Sequence, residues 1–298
     1  MNKWLSLFVL SLCIGVAHGD DYPSLWDSTD PVMQAGMDKL LKSRGLSDAV
    51  ATGRLALAVV DISEPQHPRL AVVNGDRMLY AASLPKIAIL LGAFVEIENG
   101  RLQPDAKLWK DMHRMIRHSD NGAATRVLRA VGHERLLKIL QQPGLALYDP
   151  EHGGGLWVGK EYSGKGAYKR DPLHGISHGA TAMQVARFYY LLETNRLVNA
   201  ELTARMKEVL ALPAIPHKFV KGLKSLPRAR LYRKSGTWKD YHADSVLVEE
   251  GQHRYILVAL ARHPDAGKWL VDLALPLRDL VMQTAREQMT SPAGEKSN

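Results

Sequence analysis

The order of hydrophobic patterns predicts an α/β protein in which a sheet-bearing lobe carries an all-helical lobe, with a cleft between them. Strand-like segments near both ends of the chain enclose a block of helical patterns. Residues 84–99 are apolar almost all round, as expected of a helix buried between layers. The chain has 298 residues, 46% hydrophobic and 23% charged, with no evident repeat, which is enough for a sizeable core and excludes collagen-like and low-complexity classes.

A first helix is expected over 31–46, with Val32, Met33, Met37, Leu40 and Leu41 on one side and Gly45 closing it. Strands over 55–62 and 69–73 suggest an antiparallel pair across the turn-rich stretch Ser63-Glu64-Pro65-Gln66-His67-Pro68. The apolar helix 84–99 stops at Gly100, and helical patterns follow over 106–116, 122–131, 134–141 and 182–193. Between the last two, 150–179 is Gly-rich, basic and His-containing, and is expected to be a long functional loop. A short helix over 202–210 and a Pro-punctuated connection lead to strands over 230–235, 244–249 and 254–261. The last two form a hairpin across Glu250-Gly251-Gln252-His253, and an amphipathic helix over 268–288 precedes a polar tail, 291–298, expected to be disordered.

Lys3, an apolar run from Trp4 to Val16 and the small residues Ala17 and Gly19 have the three parts of a secretory signal, 1–19, and predict a periplasmic or secreted protein. Leu12 is not the small residue that a lipoprotein signal ending at Cys13 needs. Cleavage after Gly19 removes Cys13, the one cysteine, so the mature form has no disulfide, no Cys-ligated zinc and no cysteine nucleophile. Lys and Arg number 39 against 31 Asp and Glu, a formal charge of +8, but the basic residues are scattered, which fits anionic small molecules or cell-envelope polymers better than nucleic acid.

Three short segments stand out in order: Ser83-Leu84-Pro85-Lys86, Ser119-Asp120-Asn121 and Lys234-Ser235-Gly236-Thr237. Ser83 is the only Ser or Thr with Lys three residues later. Singly, each segment has an ordinary explanation: Ser83 as a helix cap, Lys86 as a solvated first-turn residue, Asp120 and Asn121 as loop residues, Lys234 as a strand-end charge. Together they resemble the S-x-x-K, S-D-N and K-T/S-G elements of the serine β-lactamase and penicillin-binding protein superfamily. The similarity to class A β-lactamases extends over nearly the whole mature chain.

This resemblance implies a class A β-lactamase-like fold, an antiparallel sheet flanked by helices plus an all-helical lobe, with the active site in the cleft. The serine hydrolase domain would be 20–290, its α/β lobe made of 20–82 and 212–290 and its helical lobe of 83–211. Ser83 would be the nucleophile, with Lys86 accepting its proton once burial and Lys234 depress the amine pKa. Ser119 would relay the proton to the leaving nitrogen. Asn121 would bind an acylamido group, and Lys234 with the hydroxyls of Ser235 and Thr237 would hold a carboxylate. The amides of Ser83 and Thr237 would form the oxyanion hole.

The E-x-x-L-N element of class A enzymes, whose Glu activates the deacylating water, is absent, and Ser83 and Ser119 are closer in sequence than is usual there. Glu151, Glu161 and Asp171 lie in the corresponding stretch in unrelated surroundings. The expected function is β-lactam opening through a Ser83 acyl-enzyme. The alternatives are a DD-peptidase or penicillin-binding protein acting on peptidoglycan stems with slow or no deacylation, and an idle sensing module. Such chemistry requires no cofactor. His152, His174 and His178 in the long loop, with His113, His118 and His242 elsewhere, allow a zinc site, although scattered histidines ordinarily sit at the surface or serve as hydrogen-bonding groups. A monomer acting on a small molecule is expected.

Overall fold

Helix α1 (Pro31–Ser43) begins on Asp30, whose carboxylate accepts from the amides of Val32 and Met33 at 2.9 Å, and Pro31 occupies the first helical position, where a missing N–H is harmless. The computed structural model that shows this describes residues 22–163 and 169–290; the signal segment 1–19, Cys13 and the tail 291–298 lie outside the described residues. Gly45, at φ +68°, ends the first helical segment, and a one-turn helix α2 (Ser47–Ala51) that the sequence reading missed follows.

Strands β1 (Leu55–Asp61) and β2 (Arg69–Val73) form the expected antiparallel pair, and β3 (Leu79–Tyr80) is short. The helical block is α3 (Lys86–Glu98), α4 (Ala106–Arg117), α5 (Asn121–Val131) and α6 (His133–Leu140). The stretch expected to be a loop is partly paired, through β4 (Tyr148–Asp149), β5 (Gly154–Gly155), β6 (Trp157–Val158) and β7 (His178–Ala180). β4 pairs with β5, and β7 sits between β3 and β6. Two-residue strands carry too short an alternation to register in sequence. Helices α7 (Ala182–Glu193), α8 (Ala200–Leu210) and α9 (Phe219–Gly222) follow; the last lies in the connection read only as Pro-punctuated. Strands β8 (Arg230–Trp238), β9 (Tyr241–Glu250) and β10 (His253–Arg262) and the helix α10 (Ala266–Thr290) complete the chain.

Among the described residues the main sheet has five strands in the antiparallel order β2-β1-β10-β9-β8. Both faces are apolar, and period-two alternation sorts side chains between two cores. Leu55, Leu57 and Val59 of β1 face a core built with α1 and α10, whereas Ala56, Ala58 and Val60 face the core of the helical block. Helix α3 is the centre of that second core. Every residue from Lys86 to Glu96 is buried, which matches the all-round apolar pattern. The sheet ends on one side at β8, so the edge of β8 is available to meet the turn that precedes α3.

Phe94 is fully buried in α3 and makes an edge-on contact with Trp109 of α4. Phe94→Ala is expected to lower stability by roughly 3–5 kcal/mol, because a cavity in a close-packed core collapses only partly. Denaturant unfolding would measure it, and a loss under about 1 kcal/mol would contradict a close-packed centre at α3.

Candidate active site

Ser83 stands in the turn just before α3 rather than inside the helix, which starts at Lys86 with Pro85 as its cap residue. The turn is tightened by Leu84 N donating to Ala81 O at 3.0 Å and Lys86 N donating to Ser83 O at 3.3 Å. Ala82, immediately before the serine, has φ +50°, a conformation that costs a non-glycine residue on the order of 1–3 kcal/mol and persists only where surroundings impose it. Two supports are visible. Ala81 N donates to His178 O on β7 at 2.8 Å, and the Tyr162 hydroxyl donates to Ala82 O at 3.0 Å.

The second motif is built by a helix junction. Helix α4 ends at Arg117, Ser119 turns the chain at φ +57°, and Asp120 caps α5 by accepting from Ala123 N at 2.8 Å. Arg114 also holds the Asp120 carboxylate, at 2.6 Å, and these hydrogen bonds keep it below the usual carboxylate range. Asp120 therefore fixes the junction, and Ser119 and Asn121 on either side are left to face α3.

There they meet Lys86. Its Nζ donates to Ser119 O at 2.6 Å and Asn121 Oδ1 at 2.8 Å, with Ser119 Oγ at 3.4 Å. Lys234 of β8 donates to the same Ser119 Oγ at 2.9 Å and to Ser235 O at 2.7 Å. Two ammonium groups thus flank one hydroxyl. Burial lowers Lys86 from its ordinary value to about 7, with the Asp120 carboxylate pulling the other way. Lys234 is pushed well down by burial first and then by the charges of Lys86 and Arg233.

Strand β8 brings the third motif to the serine by backbone approach. A Cβ at Gly236 would lie 2.0 Å from Ala81 O and 2.7 Å from Ser83 N, so only glycine lets the strand come this close. Thr237 is exposed beside it, and Ser235 is buried. Ser83, Lys86, Ser119, Asn121, Lys234, Ser235 and Thr237 are therefore gathered at one place, although three separate elements carry them.

The long stretch contributes no carboxylate to Lys86. Glu161 is clamped to Arg129 at 2.6 and 2.7 Å, which holds it below the usual carboxylate range. Asp171 is buried and accepts from the Tyr148 hydroxyl at 2.5 Å and from the amides of Leu173 and His174, so it anchors the loop. Glu151 is exposed on a turn that Asp149 caps. What covers Lys86 is the Tyr162 ring, 4.6 Å from Nζ to its centroid and stacked at 4.2 Å on His178. Burial raises the Tyr162 phenol well above its ordinary value and lowers His178 to about 3, so both rings are neutral near pH 7.

The other histidines are dispersed. His174 Nε2 lies 3.0 Å from Gly153 O, and His152 stacks on Trp26 at 3.8 Å. Among the described residues no three His, Cys, Asp or Glu side chains gather as a metal-binding group. The sequence reading missed Tyr162, Lys218 and the buried pair Arg233–Asp244, which is bonded at 2.6 and 2.9 Å. A carboxylate in the apolar strand Ala243-Asp244-Ser245-Val246 was a legible signal for that pair; Lys218 and Tyr162 had none.

The sequence profile of the beta-lactamase enzyme family matches residues 106–274. No curated protein matches the sequence. Among solved structures, PBP-A is 16% identical with a TM-score of 0.64, covering 87% of this chain and 97% of its own. A beta-lactamase from Sphaerobacter thermophilus is 16% identical with a TM-score of 0.61, covering 81% and 96%. A beta-lactamase from Xanthomonas campestris is 15% identical with a TM-score of 0.62, covering 82% and 98%. At these identities the likeness is one of fold.

Because its new Cβ meets backbone, which cannot swing aside, Gly236→Ala is expected to drive β8 from the Ser83 turn and cost roughly 1–3 kcal/mol. A thermal melt checks this. An unchanged melt would mean that β8 does not press on the turn.

Proposed function

Since this chain belongs to the beta-lactamase enzyme family, a family of hydrolases that act on β-lactams, we propose that it opens the ring through an acyl-enzyme on Ser83. The Ser83 hydroxyl adds to the lactam carbonyl and gives its proton to Lys86 Nζ. The carbonyl–nitrogen bond then breaks, and the nitrogen takes a proton from Ser119 Oγ, which is replenished from the ammonium groups beside it. The amides of Ser83 and Thr237 receive the developing oxyanion. The observation that carries this is the Lys86–Ser119–Lys234 chain, in which a buried amine titrating at about 7 is hydrogen-bonded to the relay hydroxyl's residue.

The remaining roles follow from donor counts. Asn121 Oδ1 accepts from Lys86, so its amide nitrogen is free to donate to an acylamido carbonyl of the substrate. Lys234, Ser235 and Thr237 hold the substrate carboxylate, which completes a pocket rich in cations.

Deacylation uses Lys86 again, as base for water, since Glu151, Glu161 and Asp171 are engaged elsewhere or exposed. With the Tyr162 ring over one face of Lys86, water reaches that amine slowly, and the acyl-enzyme accumulates. This favours a penicillin-binding or sensing role, or a DD-peptidase acting on peptidoglycan stems, as the second possibility. A solved mutant of PBP-A holds penicillin G as an acyl-enzyme complex, and the same kind of species is the one to look for here. The reaction needs no cofactor. The signal segment 1–19 sends the protein to the periplasm or outside the cell, where the mature chain works as a monomer; among the described residues no helix is long and apolar enough to cross a membrane.

Mixing the mature protein with a chromogenic cephalosporin should give a burst of about one equivalent, with a mass-spectrometric adduct on Ser83 persisting in the steady state. Ser83→Ala should abolish the adduct and lower kcat/KM by at least about 10³-fold; unchanged turnover in that variant would discard the mechanism. The acylation rate should rise with pH through about 7 and level off above it, because the amine is a base only after its proton leaves. A rate flat from pH 5 to 9 would remove Lys86 from the role of base.

A further inference from the structure

In the turn before α3, one peptide unit joins Ala82 to the nucleophile, and its two polar ends are treated differently. Ala82 O accepts from the Tyr162 hydroxyl at 3.0 Å. Ser83 N, in the same unit, has no acceptor among the described residues. A trans peptide is planar, and its C=O and N–H point in opposite directions. Holding the oxygen therefore aims the hydrogen. The Ser83 N–H is directed away from the Tyr162 hydroxyl, and the neighbour of that nitrogen is β8, where a Cβ at Gly236 would lie 2.7 Å from it.

The plane would not stay there unaided. Ala82 has φ +50°, which a residue with a Cβ leaves when it can, and its relaxation to negative φ would turn the Ala82–Ser83 peptide. Tyr162 is well placed to resist this, because it is itself fixed on both sides by α5. Glu161 is held by Arg129, and Ser163 donates from its N and from its Oγ to Thr125 Oγ1, each at 3.0 Å. Thr125 and Arg129 are one helical turn apart, and α5 starts at Asn121. The Tyr162 ring is fixed as well, lying 5° from parallel to the His178 ring and with Lys86 Nζ 4.6 Å from its centroid.

We infer that Tyr162 is a positioning residue for the oxyanion hole: by holding Ala82 O it locks the Ala82–Ser83 peptide so that the Ser83 N–H meets the developing oxyanion. The inference rests on the functional assignment above, and it gives the hydroxyl a duty separate from that of the ring. The ring limits the access of water to Lys86. The hydroxyl acts through Ala82 and touches no substrate. It also polarises the peptide it bonds, which makes the Ser83 N–H a stronger donor.

The test uses penicillin G and Tyr162→Phe, which removes the hydroxyl and keeps the ring. The acylation rate constant is expected to fall about tenfold with noncovalent binding unchanged, less than the roughly 10²–10³-fold lost when an oxyanion donor is deleted outright. In the Ser83 adduct the infrared band of the ester carbonyl should move to higher frequency, since a weaker hydrogen bond leaves the C=O bond stiffer. Glycine tolerates positive φ, so in an Ala82→Gly background the same change should cost only about twofold. A Tyr162→Phe protein that acylates at the wild-type rate would overturn the proposal, as would an unshifted carbonyl band, an effect confined to deacylation, or an equal loss in the Ala82→Gly background. Should Ala82→Gly not melt cooperatively, the rate and the carbonyl band of Tyr162→Phe decide alone. A wild-type chain that forms no Ser83 adduct would overturn the underlying function instead.

Discussion

Two buried ammonium groups share one hydroxyl at the heart of this molecule, and most of its unusual features follow from the cost of that arrangement. Taking an ammonium group out of water costs several kcal/mol unless hydrogen bonds replace its hydration. Lys86 recovers part of that through Ser119 O and Asn121 Oδ1, and Lys234 through Ser119 Oγ and Ser235 O. No carboxylate bonds either one among the described residues, so the remaining stress falls on their proton affinity. That stress is useful. It makes an amine near neutrality out of Lys86.

Holding such groups together requires backbone in conformations that the chain would not choose. Ala82, Ser119 and Lys218 all have positive φ values; Ser119 belongs to the cluster, Ala82 precedes Ser83, and Lys218 bonds the end of β8. Each is also braced from outside: Ala82 by Tyr162, Ser119 by the Asp120 cap and its partner Arg114, and Lys218 by bonds to β8 and β9. The strain is thus located where geometry matters and is offset by ordinary hydrogen bonds in the scaffold.

The stretch between α6 and α7 has been put to a different use from the one its sequence suggests. Its acidic residues act as fasteners, Glu161 to Arg129 on α5 and Asp171 to Tyr148, and an aromatic pair occupies the face of Lys86. A ring can stabilise an ammonium group electrostatically but cannot take a proton from water. The stretch therefore shapes the environment of Lys86 without bringing a carboxylate to it.

Much of this was readable along the chain. The order of elements, the burial of 84–96 and the three motifs depend on local periodicity and on residue types at short spacing, which are properties of the sequence itself. Asp120 and Gly236 were in plain view as motif residues, but the cap that one forms and the close approach that the other permits were not. Other features have no local trace. Lys234 and Ser119 are 115 positions apart and meet only because an edge strand closes on a helix junction. Lys218, in a connection without pattern, becomes a structural cation only after β8 and β9 present their carbonyls to it, and Tyr162 becomes the cover of Lys86 only once β7 and its loop are folded back on the serine turn. Local sequence determines which faces of each element are apolar; which polar groups face one another across the cleft is decided by the closure of the sheet against the helices, because that pairing depends on distances that no single segment contains.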